Sequence, residues 1–515
     1  LSSLEHLPSV WPLVGREAEL ELIQRTLDYA AAGSGNALLL RGESGVGKTR
    51  LAQLAMRHAA ADGWTVASGS AYPVETGVPY ALFADAMVPV LRDLASSTVT
   101  LLSRGATSHL AHVFPALVGL EASDDRQASS PEFKGRVLWT VAQLLTGLSA
   151  RAPLLLVLEN LQWADPSSLE LLHFIARQVR QARFAIVATV NDTEAESQGS
   201  LNTTMRSLVD MGLAASRHVA PLERGEVEEL LRHVFGDGAV PKDAMALLFG
   251  WTRGNPFFLE QTIKSLVATG RLTHRDGAWV GWDLEGLKLP RSIRDALEIR
   301  LGLVGPDARR VADCAAVIGT RLTADILCAA TGMDSGSLLA ALDELCRRNV
   351  LSGQLFGERV EYDFTHPMVR ATLYEGLGIG RRSILHAQVA EALESTWGVH
   401  AAEHAGELAF HSVHASVGTL TPKAVHYLIL AGESALEKHA DREAARYLGA
   451  ALEHCDRRAP SESNAPVPII DLVAGLALAN QRIGNHDAAQ ALWERARAGA
   501  AAAADLALVA KIERR

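Results

Sequence analysis

Eight consecutive residues, Gly42-Glu43-Ser44-Gly45-Val46-Gly47-Lys48-Thr49, match the pattern G-x-x-x-x-G-K-[ST] in full. The run follows an apolar stretch, Ala37 to Leu40, that reads as a strand, and it opens a stretch, Arg50 to Ala61, that reads as a helix. Few folds accept a strand, a glycine-rich turn and a helix in that order. Glycines let the main chain curl with its N–H groups pointing inward, and the helix start adds the positive end of its dipole. Such a turn cradles phosphate. Lys48 is placed to meet the β- and γ-phosphates, and the Thr49 hydroxyl to ligate Mg²⁺. These eight residues with Arg50 form the candidate binding set for ATP or ADP.

The surrounding pattern agrees. A helix with Leu20, Ile23 and Leu27 at helical spacing precedes the first strand. Further strand-like runs are Trp64 to Ala67, Leu154 to Leu158, Ala185 to Val190 and, weakly, His218 to Ala220, with a helical pattern from Val137 to Ser149 among the segments between them. Short buried strands alternating with longer helices predict an α/β domain on a largely parallel sheet over residues 1–220. After Pro221 the alternation stops. Three short helices (Glu223 to Phe235, Lys242 to Trp251, Pro256 to Thr269) and an extended piece, Ala278 to Trp282, make up a segment ending near 288. Residues 289–380 read as helices followed by a hairpin over Val350 to Phe364, the order of a winged helix. Its candidate recognition helix, Ser335 to Arg348, carries Asp343 and Glu344 beside Arg347 and Arg348, so packing competes with DNA binding as its role. From 381 to 515 the chain is helical and rich in alanine. There Ala440-Asp441-Arg442-Glu443-Ala444-Ala445 and Gly484-Asn485-His486-Asp487-Ala488-Ala489 repeat a polar turn before a small-residue helix, as tetratricopeptide-like repeats do.

Composition excludes several classes. With 49 Lys+Arg against 59 Asp+Glu the net charge is −10, which disfavours general nucleic-acid binding by phosphate neutralisation. Apolar stretches such as Phe184 to Val190 fall far short of the ~20 residues of a membrane span, and no basic-then-apolar leader opens the sequence. Four separated cysteines suggest neither a disulfide framework nor a zinc site, so the expected compartment is the cytoplasm. Among the many histidines of 400–440, only His400 and His404 have metal-like spacing, and no metal site is expected there. The Glu226 to Glu229 run reads as a solvated helix face and Asp124-Asp125 as a loop.

The strand Leu154 to Leu158 ends in Glu159-Asn160. An acid at that point holds Mg²⁺ and polarises the attacking water. Glu159 can serve the metal; Asn160 cannot accept a proton, so a general base is missing and fast hydrolysis is not expected. Asp165-Pro166 is a standard helix start, which makes Asp165 a cap rather than a catalyst. Trp163 reads as a core aromatic. Asn191 either senses the γ-phosphate, if its strand lies beside the first, or begins a turn.

Val14-Gly15-Arg16-Glu17, the glycine-rich loop, Leu161-Gln162-Trp163-Ala164-Asp165 and Gly254-Asn255-Pro256-Phe257-Phe258 together resemble the ATPase module of STAND proteins, the signal-transduction ATPases with numerous domains. The likeness is strongest to the large ATP-binding LuxR-type transcriptional regulators; Leu289 to Arg294 and Phe364 to Arg370 resemble that family's winged-helix borders. The resemblance implies a five-stranded ATPase sheet, a helical lid, a winged helix and a repeat-built sensor. It also implies that Val14, Gly15 and Arg16 border the adenine, that Pro256 touches it from the lid, and that His366 reaches the phosphates. Members usually carry Asp-Asp or Asp-Glu where Glu159-Asn160 stands, and commonly Arg at the place of Asn191, which puts turnover rather than binding in doubt. The DNA-reading helix-turn-helix of such regulators is not found before Arg515, so DNA contact is expected only through a domain outside these residues.

The leading expectation is a nucleotide-controlled switch with slow or absent hydrolysis, biased by an inducer or protein on the repeats and able to self-associate in a nucleotide-dependent way. The alternatives are an active ATPase of the remodelling type and a repeat-based scaffold with a structural nucleotide site.

Overall fold

The computed structural model describes residues 6–8, 10–114, 131–195, 198–275, 277–282, 293–319, 322–348, 350–356, 359–416, 420–457 and 469–502. The motif Leu289 to Ser292, the pair Asp124-Asp125, Gly357 and the segment 503–515 lie outside the described residues.

The first part alternates as its hydrophobic pattern demands. In order come α1 (Glu17–Ala31), β1 (Asn36–Gly42), α2 (Lys48–Ala61), β2 (Thr65–Ser70), α3 (Ala81–Arg92), α4 (Ser96–Leu102), α5 (Thr107–Ala111), α6 (Pro131–Arg151), β3 (Leu154–Glu159), α7 (Pro166–Gln178), β4 (Phe184–Asn191), α8 (Asp192–Ala195), α9 (Gly199–Asp210) and β5 (Ala214–His218). The five strands form one parallel sheet in the order β2-β3-β4-β1-β5. Successive strand side chains point to opposite faces. Leu154, Leu156 and Leu158 therefore pack with α3, α6, α7 and α9, while Leu155 and Val157 pack with α1 and α2.

Two differences from the sequence reading have plain causes. The fifth strand is Ala214–His218, earlier than His218 to Ala220. Only its first residue is buried, so this edge strand carries almost no apolar signal. The sequence reading named no element between Ala67 and Val137, yet α3 to α5 lie there and bring Tyr80, Phe83, Met87 and Phe114 into the core.

The next unit holds α10 (Arg224–Phe235), α11 (Lys242–Thr252), α12 (Pro256–Ala268) and a small antiparallel ribbon, β6 (Thr273–Arg275) with β7 (Ala278–Val280). Its core, including Leu231, Leu248, Leu259 and Ile263, also takes in Trp11 and Val14 from the start of the chain. Then follow α13 (Ile293–Leu301), α14 (Pro306–Ile318), β8 (Leu322–Thr323), α15 (Ala324–Thr331), α16 (Ser335–Arg347), β9 (Leu351–Phe356), β10 (Arg359–Phe364) and α17 (Pro367–Gly376). The β9–β10 hairpin sits behind α14 to α16, with β8 added on its β10 side. In α16, Glu344 accepts hydrogen bonds from the Gly305 amide (3.0 Å) and from Arg348 (2.9 Å), which ties the helix to the start of α14.

The remainder is helical: α18 (Ile379–Trp397), α19 (Ala405–Ala415), α20 (Pro422–Glu437), α21 (Asp441–Arg457), α22 (Ile469–Ile483) and α23 (His486–Ala502). One continuous apolar core runs from Leu297 to Ala500, so the hairpin unit and the helical array are packed as one body. The two repeat-like turns do recur, but one residue out of the alignment suggested by sequence. Ala440 N–H bonds Ala435 and Ala444 N–H bonds Ala440, whereas Asn485 N–H bonds Asn480 and Ala489 N–H bonds Asn485. Ala444 thus corresponds to Ala489 rather than Ala488. The left-handed residue ending each preceding helix, His439 (φ 55°) or Gly484 (φ 95°), fixes that register.

Candidate functional site

β1 ends at Gly42, and the chain turns through Glu43 to Gly47 before α2 begins at Lys48. Gly47 caps α2 in the left-handed region (φ 106°), where a Cβ would meet open space, so glycine is required there by conformation alone. At Gly45 (φ 86°) a Cβ would also lie 2.8 Å from Asn255 Oδ1. Lys48 Nζ donates to the Gly42 and Glu43 carbonyls (2.8 and 2.7 Å), and burial pulls its pKa down to about 8 against the opposing charges of Asp192, Glu194 and Glu43.

The parallel register brings the other strand ends alongside. Asn191 lies opposite Gly42, which places it beside the loop as the sensing alternative required. Its N–H donates to Gln162 Oε1 (3.0 Å), and its buried Oδ1 has no hydrogen-bond partner among the described residues. Glu194, one turn further on, hydrogen-bonds the side chains of Gln162 and Asn191, and burial raises its pKa. Glu159, at the end of β3, hydrogen-bonds the Thr49 side chain, and burial lifts its carboxyl above the ordinary range despite that bond. Asn160 follows in the left-handed region (φ 60°), its N–H on Thr189 Oγ1 at 3.0 Å.

Two distant segments close over the loop. Asn255 caps α12 by accepting from the Phe258 amide (3.1 Å) and donates Nδ2 to the Ser44 carbonyl (2.9 Å). The Phe257 amide donates to Gly45 O at 3.3 Å. The Phe257 ring stacks on His366, centroids 3.7 Å apart. His366 in turn caps α17, Nδ1 accepting from the Met368 amide at 3.1 Å. Its Nδ1 is therefore unprotonated, and the neutral ring carries its proton on Nε2. Burial, reinforced by Lys48, depresses the His366 pKa to about 3.

The result is a cavity of about 330 Å³, inside the range of roughly 300–1,000 Å³ typical of small-molecule sites. Val14, Arg16, Ser44, Gly45, Val46, Gly47, Lys48, Thr49, Arg50, Asn160, Asn191, Pro256 and His366 line it. Gly15, Gly42, Glu43 and Glu159 are not among the lining residues. Two residues have contacts beyond those expected. The Arg16 guanidinium is taken up by the carbonyls of Ala220 (2.7 Å), Val46 (3.1 Å) and Gly15 (3.3 Å), so it braces the loop. Trp163 is a lining residue as well as a core one. Arg50 donates to the carbonyls of Trp11 and Pro12, tying the N-terminal segment to α2. Sequence reading passed over Gln162, Phe257, Gln261 and Glu194 as lining residues. The first two sit inside motifs already singled out; Glu194 has no local signal.

This donor set fits a polyphosphate. The start of α2, the Lys48 ammonium and the neutral His366 imidazole line one cavity, beside a hydroxyl–carboxylate pair, Thr49 and Glu159, of the kind that holds Mg²⁺. Asp165 caps α7 through Ser168, as its sequence context implied. Among the described residues no group of three or more His, Cys, Asp or Glu is arranged to hold a metal ion. No helix among them is long and apolar enough to cross a membrane.

Fold and site together define a P-loop domain of the AAA ATPase type: residues 12–187 match the family model described as "AAA ATPase domain". Over 496 residues the chain is 26% identical to an uncharacterized protein of Rhizobium meliloti, covering 90% of this chain and 44% of that protein, so it spans less than half the length of that relative. Among solved structures it is similar to the STAND protein with a tetratricopeptide repeat sensor from Pyrococcus horikoshii (12% identity, TM-score 0.43, covering 99% of this chain and 80% of that one). It is also similar to AMPPCP-bound DnaA from Aquifex aeolicus (14% identity, TM-score 0.30, 71% and 95% covered).

Proposed function

We propose that this chain is a nucleotide-controlled switch, the regulatory and sensor portion of a LuxR-type transcriptional regulator of the STAND class. On this reading residues 1–220 are the ATPase, 221–288 the lid, 289–380 a winged helix and 381–515 the tetratricopeptide-like sensor for an inducer or protein partner. ATP or ADP binds where these modules meet. The observation that carries the proposal is convergence: the phosphate loop, Asn255 to Phe257 and His366 come from three separate units and enclose one cavity. A ligand held by all three favours the closed arrangement by its differential affinity for it.

Thr49 and Glu159 would hold Mg²⁺, which when bound neutralises phosphate charge. The Asn160 amide is far too weakly basic to take a proton from water, which supports slow or absent turnover. Titrating labelled ADP and ATP against wild type and Lys48→Ala tests the site; equal affinity in both proteins would sink it.

An active ATPase is the competing reading, favoured by the buried Glu159 beside Thr49. It expects steady phosphate release that Glu159→Gln abolishes. The switch reading expects a near-zero rate that Asn160→Asp raises.

A further inference from the structure

The repeat-like turn before α21 lies away from the cavity, yet its side chains are buried against the ATPase domain. Glu443 Oε1 accepts a hydrogen bond from the Ser167 amide at 3.0 Å. Ser167 is in the first turn of α7, whose cap, Asp165, already accepts from the Ser168 amide (2.8 Å), the Ser168 hydroxyl (2.5 Å) and the Tyr80 amide (3.0 Å). Asp165, Ser167 and Glu443 are each 2% exposed. Two carboxylates on one helix end are tolerated because that end presents free amides and the positive pole of the helix. Burial first, and Glu443 second, also raise the Asp165 carboxyl above its ordinary range.

Two further contacts join the same surfaces. Arg446 and Tyr447 of α21 lie directly over Gly77: a Cβ there would come 2.0 Å from Arg446 Nη2 and 1.9 Å from Tyr447 Oη. The ring of His439, held at positive φ just before α21, lies 4.8 Å from that of Phe133 in α6.

We propose that Glu443 latches the helical array onto the N-terminus of α7, and that this latch governs how firmly the nucleotide site closes. The route is short. Asp165 follows Gln162 and Trp163 within three residues, and both line the cavity. Gln162 Oε1 also holds the Asn191 amide. Moving the first turn of α7 therefore moves one wall of the site. Whatever binds the array can act on the nucleotide through this contact. The coupling half of the proposal rests on the nucleotide reading above; the docking half does not.

The test uses the full chain with three variants. Glu443→Lys places a cation against the helix start, Gly77→Trp wedges the surfaces apart, and Glu443→Gln keeps an oxygen for the Ser167 amide. Hydrogen exchange without nucleotide reads docking. Glu443→Lys and Gly77→Trp are expected to expose amides of the first turns of α7 and α21, while Glu443→Gln keeps them protected. Release of a fluorescent ADP analogue reads coupling, with acceleration on the order of tenfold expected in the first two variants and none in the third. Wild-type protection in both Glu443→Lys and Gly77→Trp overturns the latch. Exposed amides with unchanged ADP release overturn the coupling and leave the docking. Equal ADP affinity in Lys48→Ala and wild type is a separate failure, of the nucleotide site, and the exchange arm still decides the latch.

Discussion

At the scale of single residues, the site is a set of groups whose ordinary ionisation is altered by burial. Lys48, with a pKa near 8 in the ligand-free site, regains its proton when phosphate arrives. Binding above that pH therefore takes up a proton, and ADP affinity is expected to fall as pH rises through about 8. Calorimetric titration from pH 7 to 9 checks this, and Lys48→Ala should lose the dependence. His366 is neutral across physiological pH, so its Nε2–H is a donor independent of pH. Burial depresses His366 and His386 to about 3, and His411 well below its ordinary value. In the unfolded chain all three take protons near pH 6.5. Between that pH and about 3 the unfolded state binds more protons, so their contribution is complete above pH 6.5 and is lost as pH falls. The melting temperature is expected to drop steadily from pH 6.5 to 4.5, and the drop to be smaller in His411→Leu.

At the scale of elements, the strands and caps set the geometry. Leu156 is fully buried in a central strand, and Leu156→Ala is expected to cost about 2–5 kcal/mol of stability in chemical denaturation. Asn255 joins structure to function within one side chain, capping α12 with its oxygen and holding Ser44 with its nitrogen. Asn255→Ala should cost about 1 kcal/mol of stability and also weaken ADP binding. Asn255→Asp keeps the cap and loses the donor, so it should weaken ADP binding while largely sparing stability. Paired melting and binding measurements on the two variants separate the roles.

At the scale of the molecule, the nucleotide is expected to act as a fastener between helices α10 to α12, the sheet domain and the body that begins at α13. A ligand that binds only the closed fold adds about 2.7 kcal/mol at a hundredfold excess over its Kd. ADP should thus raise the melting temperature of wild type and leave that of Lys48→Ala unchanged, which differential scanning calorimetry reads directly. The core running from Leu297 to Ala500 predicts that α17, with His366 at its cap, and the helical array melt together.

Whatever depends on local order is legible in the chain: the phosphate loop between β1 and α2, the cap at Asp165, the three helices α10 to α12 and the hairpin behind α16. Each rests on backbone conformation or periodicity within a few residues, which a sequence records directly. The edge strand β5 starts four residues before its weak sequence signal because its exposed residues carry no apolar alternation. Tertiary structure alone decided that Asn191 stands beside the loop, that Arg16 is spent on carbonyls, and that Phe257 stacks on His366 from more than a hundred residues away. It likewise decided that Glu443 of a repeat-like turn caps a helix of the ATPase domain. Such pairings depend on which surfaces bury one another, and burial is a property of the folded chain that no short window of residues contains.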